Sequence, residues 1–210
     1  MLTRAYDAVM ASLQVPMNIG QNVDFNNSAI DDSVLNCKDH SGNVRTMLSI
    51  SYYKNTTTSY VNNSGFYYPF AGWSVNNYSC LLPDEEESAP DYEDYSVAKG
   101  TPSGWTISST SVSLHKTYDP ETKEFVCSAA VLWQNTSGAA KTVYGVKVRY
   151  MGCYRTNFNA SSANTTTQFL ACREHFSAPV VVDDQGIISL TFTWRVGRAG
   201  LVSATAAAAE

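Results

Sequence analysis

Three histidines, His40, His115 and His175, supply all the imidazole in this 210-residue chain. Imidazole is the side chain best suited to proton transfer and zinc ligation near neutral pH. His40 closes the stretch Cys37-Lys38-Asp39-His40, which has the spacing of half a zinc site, but no second Cys or His pair follows at a finger-like distance. His115 shares the face of its segment with Ser109, Ser111 and Ser113, which reads as a polar row facing solvent. No Gly-x-Ser-x-Gly elbow, phosphate-binding glycine loop or His-Glu-x-x-His pair occurs.

Carboxylates are more plentiful. Asp84, Glu85, Glu86, Glu87, Asp91, Glu93 and Asp94 crowd one Pro-containing stretch with almost nothing aliphatic to bury. Two carboxylates at the right separation suffice for glycoside hydrolysis, and carboxylate oxygens are what calcium takes, but the Asp-x-Asp-x-Asp-Gly loop is missing. The stretch therefore reads as a solvated loop and a candidate boundary, while Asp119 and Asp183 stand where turns want Asp. The expectation is a non-enzymatic chain with no catalytic, cofactor-binding or metal-binding residue. A competing reading is carbohydrate or receptor binding through Tyr67, Tyr68, Trp73, Tyr92 and Tyr95, since aromatic faces beside Asn and Asp suit sugars.

The composition narrows the partners. Only 16% of residues are charged and the net charge is -5, so no basic face draws phosphate backbones or anionic lipid. No apolar run approaches the roughly 18–20 residues that span a bilayer, and the first residues lack the apolar stretch of a signal peptide. This reads as a soluble protein made in a cytosol, with neither nucleic acid nor membrane as a direct partner. Five cysteines, Cys37, Cys80, Cys127, Cys153 and Cys172, are then reduced, buried and hydrophobic in role. The sequons at Asn55, Asn77, Asn135 and Asn164 are by-products of composition.

The elements that would position these groups are mostly strands. Leu2, Tyr6, Val9, Met10 and Leu13 line one face of an amphipathic helix, opposite Thr3, Arg4, Asp7 and Ser12, and Pro16 ends it. So short a helix must dock, on its own domain or on a neighbouring subunit. As assembly contacts, Leu2, Tyr6, Val9, Met10 and Leu13 are the candidates. Residues 15–43 read as loop with room for one short strand, 44–54 as a strand, and 65–75 as an aromatic strand. Beyond Gly104 the rhythm is regular. Trp105 to Tyr118 and Lys123 to Gln134 make a hairpin about Asp119-Pro120-Glu121-Thr122, Lys141 to Met151 follows, then Phe169 to Phe176, Val180 to Val182, and Ile188 to Val196. Phe125, Cys127, Ala129, Val131 and Trp133 share one face, as do Ile188, Leu190, Phe192, Trp194 and Val196. That period of two predicts a mainly β fold, an antiparallel β-sandwich of jelly-roll or Ig-like type with a short N-terminal helix. The divisions are 1–16, 17–98, 99–197 for the C-terminal sandwich and 198–210 for an Ala-rich tail, or all one domain. The tail has little to fold around, and such ends fray unless something holds them, in the simplest account a neighbouring subunit.

The stretches from Asn135-Thr136-Ser137-Gly138 to Val146, Phe169-Leu170-Ala171-Cys172-Arg173-Glu174, Pro179-Val180-Val181-Val182 and Gly186 to Val196 resemble the C-terminal part of many tailed-bacteriophage structural proteins. The likeness covers about the last third of the chain and departs from the family pattern at Tyr144-Gly145-Val146-Lys147. It implies a β-sandwich subunit of the virion, made in the host cytoplasm, as a neck, tail or head-decoration component, with a lean toward the neck or tail. Its implied partners are other virion proteins and copies of itself in a symmetric array. The alternative it leaves is a receptor- or carbohydrate-binding module of the tail.

Overall fold

The computed structural model describes residues 1–8, 36–46, 79–108, 113–155, 164–196 and 202–208. Among them are ten strands: β1 (Asn36–Lys38), β2 (Val44–Thr46), β3 (Ser79–Asp84), β4 (Trp105–Ile107), β5 (Ser113–Asp119), β6 (Glu124–Asn135), β7 (Lys141–Arg155), β8 (Asn164–Val182), β9 (Ile187–Val196) and β10 (Val202–Ala208). They form a β1-β2 hairpin, a three-stranded sheet β3-β7-β8, and a five-stranded sheet β10-β9-β6-β4 in which β5 also pairs with β6. Every pairing is antiparallel. The expected mainly β, sandwich-like architecture is what the chain adopts.

The larger sheet follows the alternation closely. Ala129, Val131 and Trp133 of β6 stand opposite Phe192, Leu190 and Ile188 of β9, and all six are buried. On the other face Ser128 Oγ and Thr193 Oγ1 are 3.2 Å apart, a polar cross-strand pair. The β5–β6 hairpin closes as its residues require: the Asp119 carboxylate accepts from the N–H groups of Glu121 and Thr122 at 3.0 and 3.3 Å, and Lys123 adopts φ 59°. Those backbone bonds, Thr122 first, hold the Asp119 carboxyl below its usual range.

The smaller sheet departs from that plan. Buried residues run without alternation through β3, from Cys80 to Asp84, and along β7 from Gly145 to Tyr150, so both faces of the sheet are covered. Lys147 and Arg149, which alternate in sequence with Val146, Val148 and Tyr150, are buried with them. Residues 85–100 lie over them as a strap. The expected boundary at 98/99 therefore separates nothing, because β3 pairs along β7 from Ser79↔Tyr150 to Asp84↔Gly145. At Gly145 the β7–β8 register shifts, and a Cβ there would lie 1.9 Å from the Glu174 carbonyl oxygen, so only glycine permits the close approach.

Two further expectations about the strands are corrected. Phe169 to Phe176 and Val180 to Val182 belong to one strand of 19 residues, β8. The register jumps from Val143↔Val180 to Gly145↔His175, leaving a bulge of residues 176–179 that accommodates Pro179, which has no N–H to donate. The Ala-rich tail is held within the chain over residues 202–208: Val202 to Ala208 pair with Trp194 to Ile188 of β9 in unbroken register, using backbone groups that any side chain leaves available.

The N-terminal helix, described over residues 4–8, packs on this chain. Ala5, Tyr6 and Ala8 join the core and Leu2 packs against it, with Leu2 bridging to Cys172 of β8. Leu2 and Tyr6 are thus occupied within the chain and are not free assembly contacts. Val9, Met10 and Leu13 lie outside the described residues. Thr3, expected on the polar face, is buried; its backbone carbonyl accepts from Tyr6 and Asp7, and its hydroxyl donates to the carbonyls of Leu170 and Ala171. Among the described residues no helix is long and apolar enough to cross a membrane.

Candidate functional site

The largest convergence of polar chemistry lies where the strap crosses β7 and β8. Lys147 and Arg173 are register partners on these strands, and Asp84 ends β3 beside them. The Asp84 side chain is 0% exposed and that of Arg173 2%. Arg173 Nε donates to Asp84 Oδ2 at 2.7 Å. Its Nη1 donates to Asp94 Oδ2 at 3.0 Å and Ser88 Oγ at 3.3 Å, and its Nη2 to the Ser88 and Glu86 carbonyls at 2.7 and 3.5 Å. All five guanidinium N–H groups therefore have acceptors. Lys147 Nζ lies 3.6 Å from Asp84 Oδ1 and donates to Glu86; its side chain is 9% exposed. His175 Nε2 completes the group, 3.3 Å from Asp84 Oδ2. Burial alone would lower the Arg173 pKa, but hydrogen bonds to Asp84 and Asp94 raise it above the usual arginine value.

Two neighbouring groups extend the clasp. Glu85 accepts from Trp105 Nε1 at 2.7 Å and from Lys141 Nζ at 2.9 Å, while Lys141 also donates to the Ser103 carbonyl at 3.1 Å. Arg149 donates to the carbonyls of Ala98 and Gly100, and burial pulls its pKa down. The acidic stretch is thus not a solvated loop throughout. Its Glu85, Glu86 and Asp94, with Asp84 at its root, are spent on Lys141, Lys147 and Arg173, which holds the strap down and satisfies cations that would otherwise be buried unpaired.

A second polar focus is Asn135, the first residue of the Asn-x-Ser-Gly motif. Its buried side chain donates to the carbonyls of Ala139, Val182 and Asp183 at 2.7, 2.9 and 3.1 Å. Its Oδ1 accepts from Ser137 N and Oγ at 3.0 and 2.7 Å. One side chain thereby fastens the β6–β7 and β8–β9 crossings between the two sheets, which leaves no amide for glycosylation. Asn135→Ala should lower unfolding free energy by about 2–3 kcal/mol, since three carbonyls each lose one donor and the Ser137 N–H loses its acceptor, read as a shift of the urea midpoint at constant slope.

The residues of the half zinc site are committed elsewhere. Asp39 is buried and accepts from Ser41 N, Asn43 N and Arg45 Nε at 2.9, 3.0 and 2.8 Å, closing the β1–β2 hairpin. Burial pushes its carboxyl up, but the bonds from Arg45, Ser41 and Asn43 outweigh this and hold it below the usual range. A carboxyl depressed on folding adds stability at pH values above its unfolded pKa of about 3.9. That part is lost as pH falls through the lower folded value. Asp39→Asn should therefore flatten the stability profile below about pH 4, as followed by denaturant midpoints across the acid range. Burial likewise pushes the Cys37 thiol up to about 12, and those of Cys80 and Cys172 up to about 11, so these thiols stay protonated and inert. All three are free and buried, as read from the sequence. Among the described residues no three His, Cys, Asp or Glu side chains converge as a metal site.

His175 is brought by the fold to a charged cluster. His40 sits at the hairpin turn beside Ser41 Oγ, and His115 stands opposite Ser128 in the β5–β6 register. Of the aromatic sugar-binding set, Tyr92 is 41% exposed with its hydroxyl donating to Asp7. Tyr95 packs on Gly42 under Lys38, whose Nζ is 5.1 Å from the ring centroid. Tyr67, Tyr68 and Trp73 lie outside the described residues. The signal for the clasp was present in the sequence: in a chain with few charges, Lys147 and Arg149 alternate along a strand while carboxylates crowd residues 84–94. Compared with protein-family models, curated proteins and solved structures, the chain finds no match.

Proposed function

We propose that the chain is a structural subunit of a bacteriophage virion, in the neck, the tail or the head decoration, and that it acts through protein–protein contacts. The observation that carries this reading is that the polar clusters of the described residues close on the chain itself. Asp84–Arg173–Lys147, Glu85–Lys141–Trp105, Asn135 and Asp39–Arg45 each bind one segment to another. They turn a loop-rich sandwich into a braced body, which is what a repeating particle component needs from its interior. The resemblance of residues 135–196 to tailed-phage structural proteins supports it further, since its motif residues fall on the braces: Asn135 ties the sheet crossings and Arg173 holds the strap.

In this reading the outer surface serves neighbours. The contacts are copies of the same chain in a closed ring or array and other virion proteins. The test is assembly state: the purified chain, measured by light scattering across a concentration series, is expected to form a discrete symmetric oligomer. A chain that stays monomeric at the highest soluble concentration, alone and mixed with the other particle proteins, contradicts the proposal. Selective binding to a glycan array by the isolated chain would favour the receptor-binding alternative instead.

A further inference from the structure

The geometry points to a self-modification site at Lys147 and Asp84, where the ammonium and the carboxylate condense to an intramolecular amide joining β3 to β7. Asp84 pairs with Gly145, two residues before Lys147, so the two side chains meet across neighbouring strands. Nζ stands 3.6 Å from Oδ1, so the amine is held beside the carboxyl group whose carbon it attacks. The pair is sealed from bulk water, and a buried ion pair carries a desolvation cost that an amide does not.

The neighbours stand where acyl transfer needs them. Glu86, in contact with Lys147 Nζ and half-exposed, is the proton carrier. Arg173 Nε donates to Asp84 Oδ2 at 2.7 Å and stabilises the charge that gathers there, as an oxyanion donor does, with His175 Nε2 3.3 Å from the same oxygen. In the reaction the Lys147 ammonium passes one proton to Glu86, and the freed amine attacks Asp84 Cγ. The new C–N bond forms as the carbonyl electron pair moves onto Oδ2. Oδ1 takes the proton from Glu86 and a second from the nitrogen, and leaves with its bonding electrons as water. The Oδ2 pair then restores the carbonyl. Two of the three ammonium hydrogens leave in the water and one stays on the amide, so no oxidant or co-reactant is required. The link would hold whatever the chain assembles into.

Intact mass of the full folded chain, measured after denaturation, tests this. The expected mass is one water below that of the sequence, with a branched peptide joining the segments that contain Asp84 and Lys147. Asp84→Asn should give the same linked product by loss of ammonia, Lys147→Arg should keep its full mass, and Glu86→Gln should link more slowly after refolding. Wild-type chain that retains its full mass after long incubation at neutral pH, with its β-sheet signature verified by circular dichroism, overturns the proposal. A water lost at any other pair of residues also overturns it.

Discussion

Replacing Arg173 with methionine is expected to remove about 3–5 kcal/mol of unfolding free energy, the loss typical when one partner of a buried ion pair is deleted. Methionine preserves much of the volume, so the loss comes from charge. Asp84 would keep Lys147 at 3.6 Å, His175 at 3.3 Å and the Glu86 N–H at 3.2 Å but lose its guanidinium partner, and the Ser88 and Glu86 carbonyls would lose their donor. Denaturant unfolding checks the size. Hydrogen exchange checks the location, since amides of residues 85–100 should lose protection before those of β6 and β9. The control is Arg4→Met: its partner Glu93 and Arg4 itself are about half exposed, and such pairs contribute little, so the midpoint should stay where it is. A midpoint that moves equally in both variants would remove the clasp from the account.

The second large effect belongs to Trp133. Its ring is buried between the sheets, and its indole N–H donates to the Leu81 carbonyl at 2.8 Å, so it joins β6 of one sheet to β3 of the other. Trp133→Ala should cost about 3–5 kcal/mol through lost contacts and the cavity left behind. Trp133→Phe separates the two contributions, since it keeps most of the apolar ring and leaves the Leu81 carbonyl with only the weak Cys80 thiol donor at 3.4 Å among its side-chain partners, at a cost of about 1–3 kcal/mol. Equal losses in the two variants would mean that the hydrogen bond, and not the packing, dominates.

These two residues differ in how readily the sequence betrays them. Trp133 lies in a run where apolar and polar residues alternate, and one buried face produces that pattern directly. For the same reason β6 and β9 are legible nearly residue by residue, as is the Asp119 turn. Arg173 is not legible in this way, because the rule that charge faces water breaks where a second charge is buried with it. β7 lost its polar face for that reason: Lys147 and Arg149 sit inside, under carboxylates and carbonyls that arrive from more than 45 residues away.

Other misreadings have equally local causes. Pro179 and the Ser177-Ala178 pair split β8 in the reading, because a strand is not expected to carry proline unless a bulge removes the need for its N–H. The Ala-rich tail has no alternation to read, yet β9 offers it a free line of backbone partners. Thr3 was assigned to the solvent face because hydroxyls are polar, although a hydroxyl that reaches two carbonyls is at home in the interior. The site was half visible: the separate ingredients, His175 and the carboxylates of residues 84–94, were noted, while their convergence depends on β3 pairing with β7 across a loop that showed no sign of it.

The proposed role as part of a particle is tested by mass spectrometry of gradient-purified virions washed in high salt. Peptides from this chain are expected at a constant integer ratio to the other structural proteins, retained after washing. A chain found only in the soluble fraction of infected cells, at no fixed ratio to the particles, would contradict it.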